Sequence, residues 1–148
     1  MPIPELSPQG FLPEGLHDCT IDEVIERFGR FQTSDRRPEL AASLISYHQE
    51  ASEASIGKCL IINGSFVTSV DKPGDVDLLL VLKDDVYLKM EVPPFQYNVR
   101  SRKYVKRNYK LDFYVGFEQD DSYASMVTLF QQVKHQPGHR KGVLKVAL

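Results

Sequence analysis

Residues 60–82 read LIINGSFVTSVDKPGDVDLLLVL, and this stretch decides how the rest of the chain is interpreted. An apolar run lies at each end; Gly64-Ser65 closes the first run and Asp75-Val76-Asp77 opens the second. Both runs have the length of strands, so we expect strands over 58–63 and 75–82 with a loop between them. The second run is apolar on both faces, which is typical of a central strand covered on each side.

Asp75 and Asp77 are the first candidates for a functional site. Side chains two apart on a strand point to the same side of the sheet, so the two carboxylates are aimed at one point. They repel unless a cation lies between them, and Mg²⁺ both takes oxygen ligands and keeps contact with substrate phosphates. The N–H groups of Gly64 and Ser65, with the serine hydroxyl, can bind phosphate oxygens. This layout is typical of a metal-dependent site that handles nucleotides.

A third acid, Asp112, lies in a later run, 110–115, whose neighbours predict a strand. An acid inside an apolar strand is costly to bury without a partner. A two-metal site normally takes a carboxylate from a further element. We therefore predict that Asp75, Asp77 and Asp112 are both the metal-binding and the catalytic residues.

A simple turn is the alternative explanation for part of this pattern. Residues 71–75 read DKPGD, in which acids commonly bond to their own backbone. Asp77 lies beyond such a turn, inside the predicted strand, where an ionised side chain needs a metal or a cationic partner. The combination with Gly64-Ser65 and Asp112 favours the functional interpretation.

Gly64-Ser65, Asp75-Val76-Asp77 and Asp112 together resemble the signature of the DNA polymerase beta-like nucleotidyltransferase superfamily, over residues 58–117. The resemblance implies that the first two acids hold two catalytic ions, Mg²⁺ or Mn²⁺. It implies that the third acid positions or activates the attacking hydroxyl. Gly64, Ser65 and Lys72 are then expected to bind a nucleoside triphosphate such as ATP.

The two ends of the chain, 10–17 and 141–146, resemble a small, poorly characterised family of stand-alone members of that superfamily. One position departs from the wider pattern. Many minimal members carry Ala-Arg-Gly soon after the Gly-Ser pair, and this chain has Phe66-Val67-Thr68 there. The arginine that usually clamps phosphate is therefore missing from that place.

A dense basic segment precedes Asp112 in a chain whose net charge is only −2. We predict a helix over 96–108 that carries its cations on one face. Such a face can clamp a triphosphate or an RNA backbone, and a solvated helix surface is the alternative. The residues predicted to bind phosphate or nucleic acid are Arg100, Arg102, Lys103, Lys106 and Arg107.

The pattern predicts one α+β domain over residues 1–148, with a mixed β-sheet that carries the acids on one face and helices mainly on the other. The resemblance implies a polymerase-beta-like core. Residues 1–18, rich in Pro and Gly, are expected to form an irregular N-terminal arm. No apolar run approaches the ~20 residues of a membrane span and no signal peptide is visible, so we expect a cytoplasmic protein without a membrane partner. Further elements are predicted as helices over 20–28, 35–55, 84–90 and 122–134 and a strand over 142–148.

These features predict an enzyme that transfers a nucleoside monophosphate from a nucleoside triphosphate to a hydroxyl of an RNA end or a protein side chain. The resemblance adds a toxin-antitoxin or defence setting. The alternative is a catalytically silent module, such as an antitoxin or a regulator, that binds nucleic acid or a partner protein. Three repelling carboxylates favour the enzyme, because a silent protein has no evident physical reason to keep them. A phosphohydrolase would need a nucleophile or base that the sequence does not identify.

Overall fold

A five-stranded sheet organises the chain. A computed structural model describes residues 3–29, 35–87, 94–133 and 136–148. The strands are β1 (Gly15–Cys19), β2 (Gly57–Asn63), β3 (Asp77–Leu82), β4 (Asp112–Gly116) and β5 (Gly142–Ala147). The helices are α1 (Ile21–Phe28), α2 (Arg36–Ala54), α3 (Asp84–Tyr87), α4 (Pro94–Arg100), α5 (Arg102–Tyr109) and α6 (Ser122–Gln131).

The strand order is β1-β5-β2-β3-β4 and the sheet is mixed. β1 pairs with β5 and β3 pairs with β4 in parallel, whereas β2 runs antiparallel to both β3 and β5. Four strands therefore begin, and β2 ends, at the same edge of the sheet. This single α+β domain with a mixed sheet confirms the predicted fold class.

The larger core lies on one face of the sheet. There the alternate side chains of β2 and β3, such as Leu60 and Leu80, pack with buried residues of α1, α2, α4 and α5. On the opposite face α6 is the one described helix that packs on the sheet, with Val127 and Phe130 in a smaller apolar cluster that includes Ile61. The helices thus lie mainly on one face, as predicted. Among the described residues, no helix has the length and apolar character that a bilayer span requires.

Local sequence signals explain most of the helix boundaries. α1 begins with the predicted capping box, in which the Glu23 N–H donates to Thr20 Oγ1 at 3.1 Å and the Thr20 N–H donates to Glu23 Oε1 at 2.9 Å. α2 matches its prediction to within a residue or two. α6 ends at Gln131, earlier than expected. The predicted helix over 84–90 is described only as α3, because residues 88–90 lie outside the described part of the chain.

The N-terminal arm, predicted to be irregular through residue 18, is shorter than expected. Gly15–Cys19 forms β1, an outermost strand of the sheet, with Leu16 opposite Val143 of β5. This outermost parallel strand is stabilised by a partner more than a hundred residues away in sequence. No local sequence pattern therefore predicts it. The prediction for residues 15–18 was therefore wrong.

The predicted basic helix over 96–108 is two helices. Ser101 has extended backbone angles, φ −87° and ψ 116°, and its hydroxyl accepts a hydrogen bond from the Tyr104 N–H at 3.3 Å. A serine in this position caps a new helix. Arg100 therefore ends α4, and the single continuous cationic face that was predicted does not exist.

The loop between β2 and β3 is held by a buried arginine at the start of α2. Arg37 is fully buried, and every N–H of its guanidinium donates to a backbone carbonyl. Nη1 donates to Phe28 O (2.9 Å) and Phe66 O (2.6 Å). Nη2 donates to Thr68 O (2.7 Å) and Val70 O (2.5 Å), and Nε also donates to Val70 O (3.1 Å).

These carbonyls replace the water that a charged group loses on burial. Burial lowers the pKa of the Arg37 guanidinium, and the nearby Asp71 carboxylate acts in the opposite direction. The preceding residue, Arg36, donates to Pro73 O (3.0 Å) and Gly74 O (2.5 Å). Two consecutive side chains of α2 therefore fix the path of the loop from Phe66 to Gly74.

Replacing Arg37 by Met should destabilise the fold strongly. The apolar side chain is shorter and leaves four backbone carbonyls without these donors, three of them in buried hydrogen bonds, so we expect a loss of about 3–5 kcal/mol in the free energy of unfolding. Urea unfolding followed by circular dichroism measures this loss. Arg36→Met is the matched control and should lose about 1 kcal/mol, because its contacts lie nearer the surface. Equal losses in the two variants would contradict the anchoring role of Arg37.

Candidate functional site

Two acids that are close in sequence, Asp75 and Asp77, meet a distant third, Asp112, at one edge of the sheet. Asp75, Asp77 and Asp112 each place a carboxylate oxygen within 4.8 Å of the others. All three side chains are half-buried, so they are partly withdrawn from water yet reachable. Such a concentration of negative charge is stabilised by a bound cation.

Strand register brings two of these acids together. Asp77 is the first residue of β3 and pairs directly with Asp112, the first residue of β4. The Asp112 N–H donates to Val76 O at 3.0 Å, which ties the start of β4 to the residue between the first two acids. Parallel neighbours in register present their side chains to the same face.

Asp75 reaches the cluster by a different route from the one predicted. It lies in the loop that precedes β3 and is not a strand residue, so the predicted start of the strand was two residues too early. The periodicity of Asp75-Val76-Asp77 suits a strand, but no ladder pairing extends to residues 75 and 76. The close approach of Gly64 determines where Asp75 lies.

Gly64 has a backbone conformation and a position that exclude a side chain. Its φ is +95°, a region that L residues rarely adopt. A Cβ there would lie 3.0 Å from Asp75 O, 3.1 Å from Asp75 Oδ1 and 3.1 Å from the Asp77 nitrogen. The glycine therefore allows the end of β2 to lie directly against the acids.

Ser65 closes the same loop. Its Oγ accepts a hydrogen bond from the Gly74 N–H at 3.0 Å, next to Asp75, and its carbonyl accepts one from Thr68 Oγ1 at 2.7 Å. Because the hydroxyl acts as an acceptor in the first bond, its own proton can be donated to a bound group. Ser65 thus combines loop closure with a polar group at the cluster.

Sequence reasoning missed Asn63. This last residue of β2 pairs with Asp77, is only 4% exposed, and has a buried Oδ1 with no hydrogen-bond partner among the described residues. An unsatisfied buried amide oxygen costs about 1–3 kcal/mol and so calls for an explanation. Its signal in the sequence is slight: one polar residue at the end of an apolar run.

A cleft of about 1180 Å³ opens over the acids. Its walls come from the loops at the edge where β1, β3, β4 and β5 begin, and from the end of β2. Val70 and Leu129 line it and are 47% and 55% exposed, so the cleft offers apolar as well as charged surface. Three basic side chains also line it: His139, Arg140 and Lys141.

Only some of the predicted binding residues adjoin this cleft. Gly64 and Ser65 line it. Lys72 is exposed in the loop and is not among the lining residues. The Arg102 guanidinium lies 4.9 Å from the ring centroid of Tyr114, which lines the cleft two residues after Asp112. The structure thus brings one of the predicted basic residues beside a side chain that lines the cleft.

The other predicted cations lie away from the lining. Arg100 lies over the Tyr97 ring at 5.3 Å, on α4. Lys103, Lys106 and Arg107 are exposed on α5. Within the part of the chain that is described, the cations of α5 form no ion pair. No acid among the described residues therefore neutralises their positive charge.

The residues present fit a hard divalent cation. Carboxylate oxygens, amide oxygens and water are the ligands that Mg²⁺ and Mn²⁺ prefer. Asp75, Asp77 and Asp112 supply three carboxylates, and the unsatisfied Oδ1 of Asn63 is a further oxygen at the same edge.

Comparison with known proteins gives a family but no activity. No significant match to the chain was found among curated proteins or among solved structures. One family model, described as a family of unknown function, matches residues 4–147 and so covers nearly the whole chain. The chain therefore belongs to DUF6932, a family of unknown function.

Proposed function

We propose that the protein is a metal-dependent nucleotidyltransferase, which moves a nucleoside monophosphate from a nucleoside triphosphate such as ATP to a hydroxyl acceptor. The observation that carries this proposal is the meeting of Asp75, Asp77 and Asp112 within 4.8 Å. They lie beside Gly64-Ser65, in a cleft large enough for a nucleotide and the end of an acceptor. The motif resemblance to the polymerase-beta-like superfamily supports the same activity.

In this proposal Asp75 and Asp77 hold two Mg²⁺ or Mn²⁺ ions, and Asp112 is a ligand on the acceptor side. When bound, the ions neutralise the triphosphate and lower the pKa of the acceptor hydroxyl. The carboxylates are already arranged by strand register and by the loop, so little reorganisation accompanies the reaction.

The covalent change is a single displacement at the α-phosphorus. The acceptor oxygen forms a bond to that phosphorus, the bond to the bridging oxygen of the β-phosphate breaks, and pyrophosphate leaves. In this proposal Asp112 orients the hydroxyl and receives its proton. Ser65 Oγ donates to an outer phosphate oxygen, and Lys72 approaches the triphosphate from the exposed loop. The protein acts mainly by positioning and by charge.

The acceptor class is suggested by α5. Residues 92–111 contain six Lys and Arg residues and no acid. Lys103 and Lys106 are exposed on α5, and Arg102 adjoins the cleft through Tyr114. A cationic helix that leads to the acids suits an RNA end, whose phosphates it can neutralise, better than a protein hydroxyl. We place this activity in the cytosol, in a toxin-antitoxin or defence setting.

A catalytically silent module that binds nucleic acid is the second candidate. It is favoured by the exposed cations of α5 that do not line the cleft. Such a module gains nothing from three adjacent carboxylates, which repel one another and disfavour a bound polyanion. The two candidates differ in one measurable property. The enzyme transfers a nucleoside monophosphate and loses this activity when an acid is replaced, whereas the silent module transfers none.

Replacing Asp77 by Asn should remove transfer and preserve the fold. The amide keeps the shape of the side chain but removes one negative charge, so we expect the rate to fall by about a hundredfold or more. The urea midpoint should not decrease, because repulsion within the cluster is relieved. The measurement is transfer from each of the four α-³²P ribonucleoside triphosphates, with Mg²⁺ or Mn²⁺, into total RNA and total protein.

Asp71→Asn is the matched control, because Asp71 lies in the same loop but outside the cleft lining. It should retain wild-type transfer. If Asp77→Asn keeps near-normal transfer, the assignment of the acids fails. If the wild-type protein transfers no label and still binds RNA, the silent module replaces the enzyme.

Neutralising two cations of α5 should weaken RNA binding and its dependence on salt. For Lys103→Gln/Lys106→Gln we expect the slope of log affinity against log salt to fall by about 1.4, since each phosphate contact with a single strand contributes about 0.7. Fluorescence anisotropy of a labelled single-stranded RNA, titrated at salt concentrations from about 50 to about 200 mM, measures the slope. Lys83→Gln/Lys145→Gln removes the same charge elsewhere and should change the slope little. Equal slopes in the two variants would exclude α5 as the RNA-binding surface.

A further inference from the structure

Asn63, Asp77 and Asp112 form a row across three neighbouring strands. Asn63 of β2 pairs with Asp77 of β3, and Asp77 pairs with Asp112 of β4. Residues paired in register present their side chains to the same face, and all three line the cleft. Asp77 is therefore flanked by one oxygen-bearing side chain on each side.

Packing does not explain the asparagine. Its side chain is 4% exposed and Oδ1 is without a partner among the described residues, so the amide pays a desolvation cost that an apolar residue of similar shape would avoid. The neighbouring side chains along β2 that face the same way are Ile61 and Cys59, which are apolar and buried. A leucine would suit this environment better, unless the amide oxygen has a ligand.

The spacing of the row is somewhat wider than, but close to, that of two metal ions. Neighbouring strands lie about 4.8 Å apart, and the ions of two-metal sites lie about 3.5–4 Å apart. Three oxygen-bearing side chains in a row therefore create two positions for an ion, with Asp77 shared between them. Asp75 also adjoins the Asn63 side, because its Oδ1 lies next to Gly64, the residue that follows Asn63.

We propose that the Asn63 amide oxygen is a ligand of a second, weaker cation position, formed with Asp75 and Asp77, which fills only together with a polyphosphate. This inference rests on the proposed function and names how the donor substrate and its cation bind. Three carboxylates carry one negative charge fewer than the positive charges of two divalent ions. The neutral amide adds no charge. The second ion therefore stays bound only when the phosphates supply the missing negative charge.

The charge on residue 63 should therefore set how many ions bind without phosphate. Bound Mn²⁺ is counted by equilibrium dialysis at a fixed concentration of free Mn²⁺, without and with inorganic tripolyphosphate. The wild-type protein should bind one ion alone and two with tripolyphosphate. Asn63→Asp should bind two ions without tripolyphosphate, because a carboxylate supplies the missing charge.

Asn63→Leu tests the same position by removing the oxygen. It should keep the first ion, bind tripolyphosphate about tenfold more weakly in Mn²⁺, and unfold at a higher urea concentration than the wild type when metal is absent. Asn108 provides the controls, since it is exposed on α5. Asn108→Asp and Asn108→Leu should leave the number of ions and the affinity for tripolyphosphate unchanged.

The outcomes separate this inference from the proposed function. If the wild-type protein binds Mn²⁺ but Asn63→Asp gains no ion, and Asn63→Leu keeps the wild-type affinity for tripolyphosphate, the role of Asn63 is overturned while the acid site stands. If the wild-type protein binds no Mn²⁺ under either condition, the proposed function fails and this inference fails with it. A lower urea midpoint for Asn63→Leu without metal would show that the amide has a structural partner, and would also overturn the proposal.

Discussion

The buried guanidinium of Arg37 is the constraint on which the site depends. A charged group can be buried when dipoles replace its hydration, and here the loop after β2 supplies them through its carbonyls. The loop cannot change its path without breaking several charge-assisted hydrogen bonds at once. Because Gly64, Ser65 and Asp75 are connected through this loop, their relative positions follow from a residue that does not line the cleft.

Strand direction supplies the second constraint. β1, β3, β4 and β5 run in one direction and β2 runs in the other, so the loops that carry polar side chains converge at one edge of the sheet. The acids lie where the apolar packing ends. Their mutual repulsion lowers the stability of the fold, and the apolar packing on both faces of the sheet offsets this loss. The arrangement trades stability for a concentrated negative site, which is typical of functional positions.

Local signals predicted much of the fold. The capping box at Thr20, the two apolar runs around 60–82 and the position of Asp112 in a strand all rest on near neighbours in sequence, and the structure has each of them. The break at Ser101 was missed because serine within a basic run suits either a helix interior or a cap. β1 was missed because its strand partner among the described residues, β5, lies at the other end of the chain.

The candidate site also has a part that the sequence predicts and a part that only the folded structure reveals. The sequence by itself determined which residues could hold a cation, since carboxylates at the start of a strand and beside a glycine are visible as a pattern in Asp75, Asp77 and Gly64. The tertiary structure alone decided that Asn63 lies beside them and that Arg37 holds their loop. The physical reason is that pairing register and burial depend on contacts between distant segments, whereas residue type and spacing are properties of the chain before it folds.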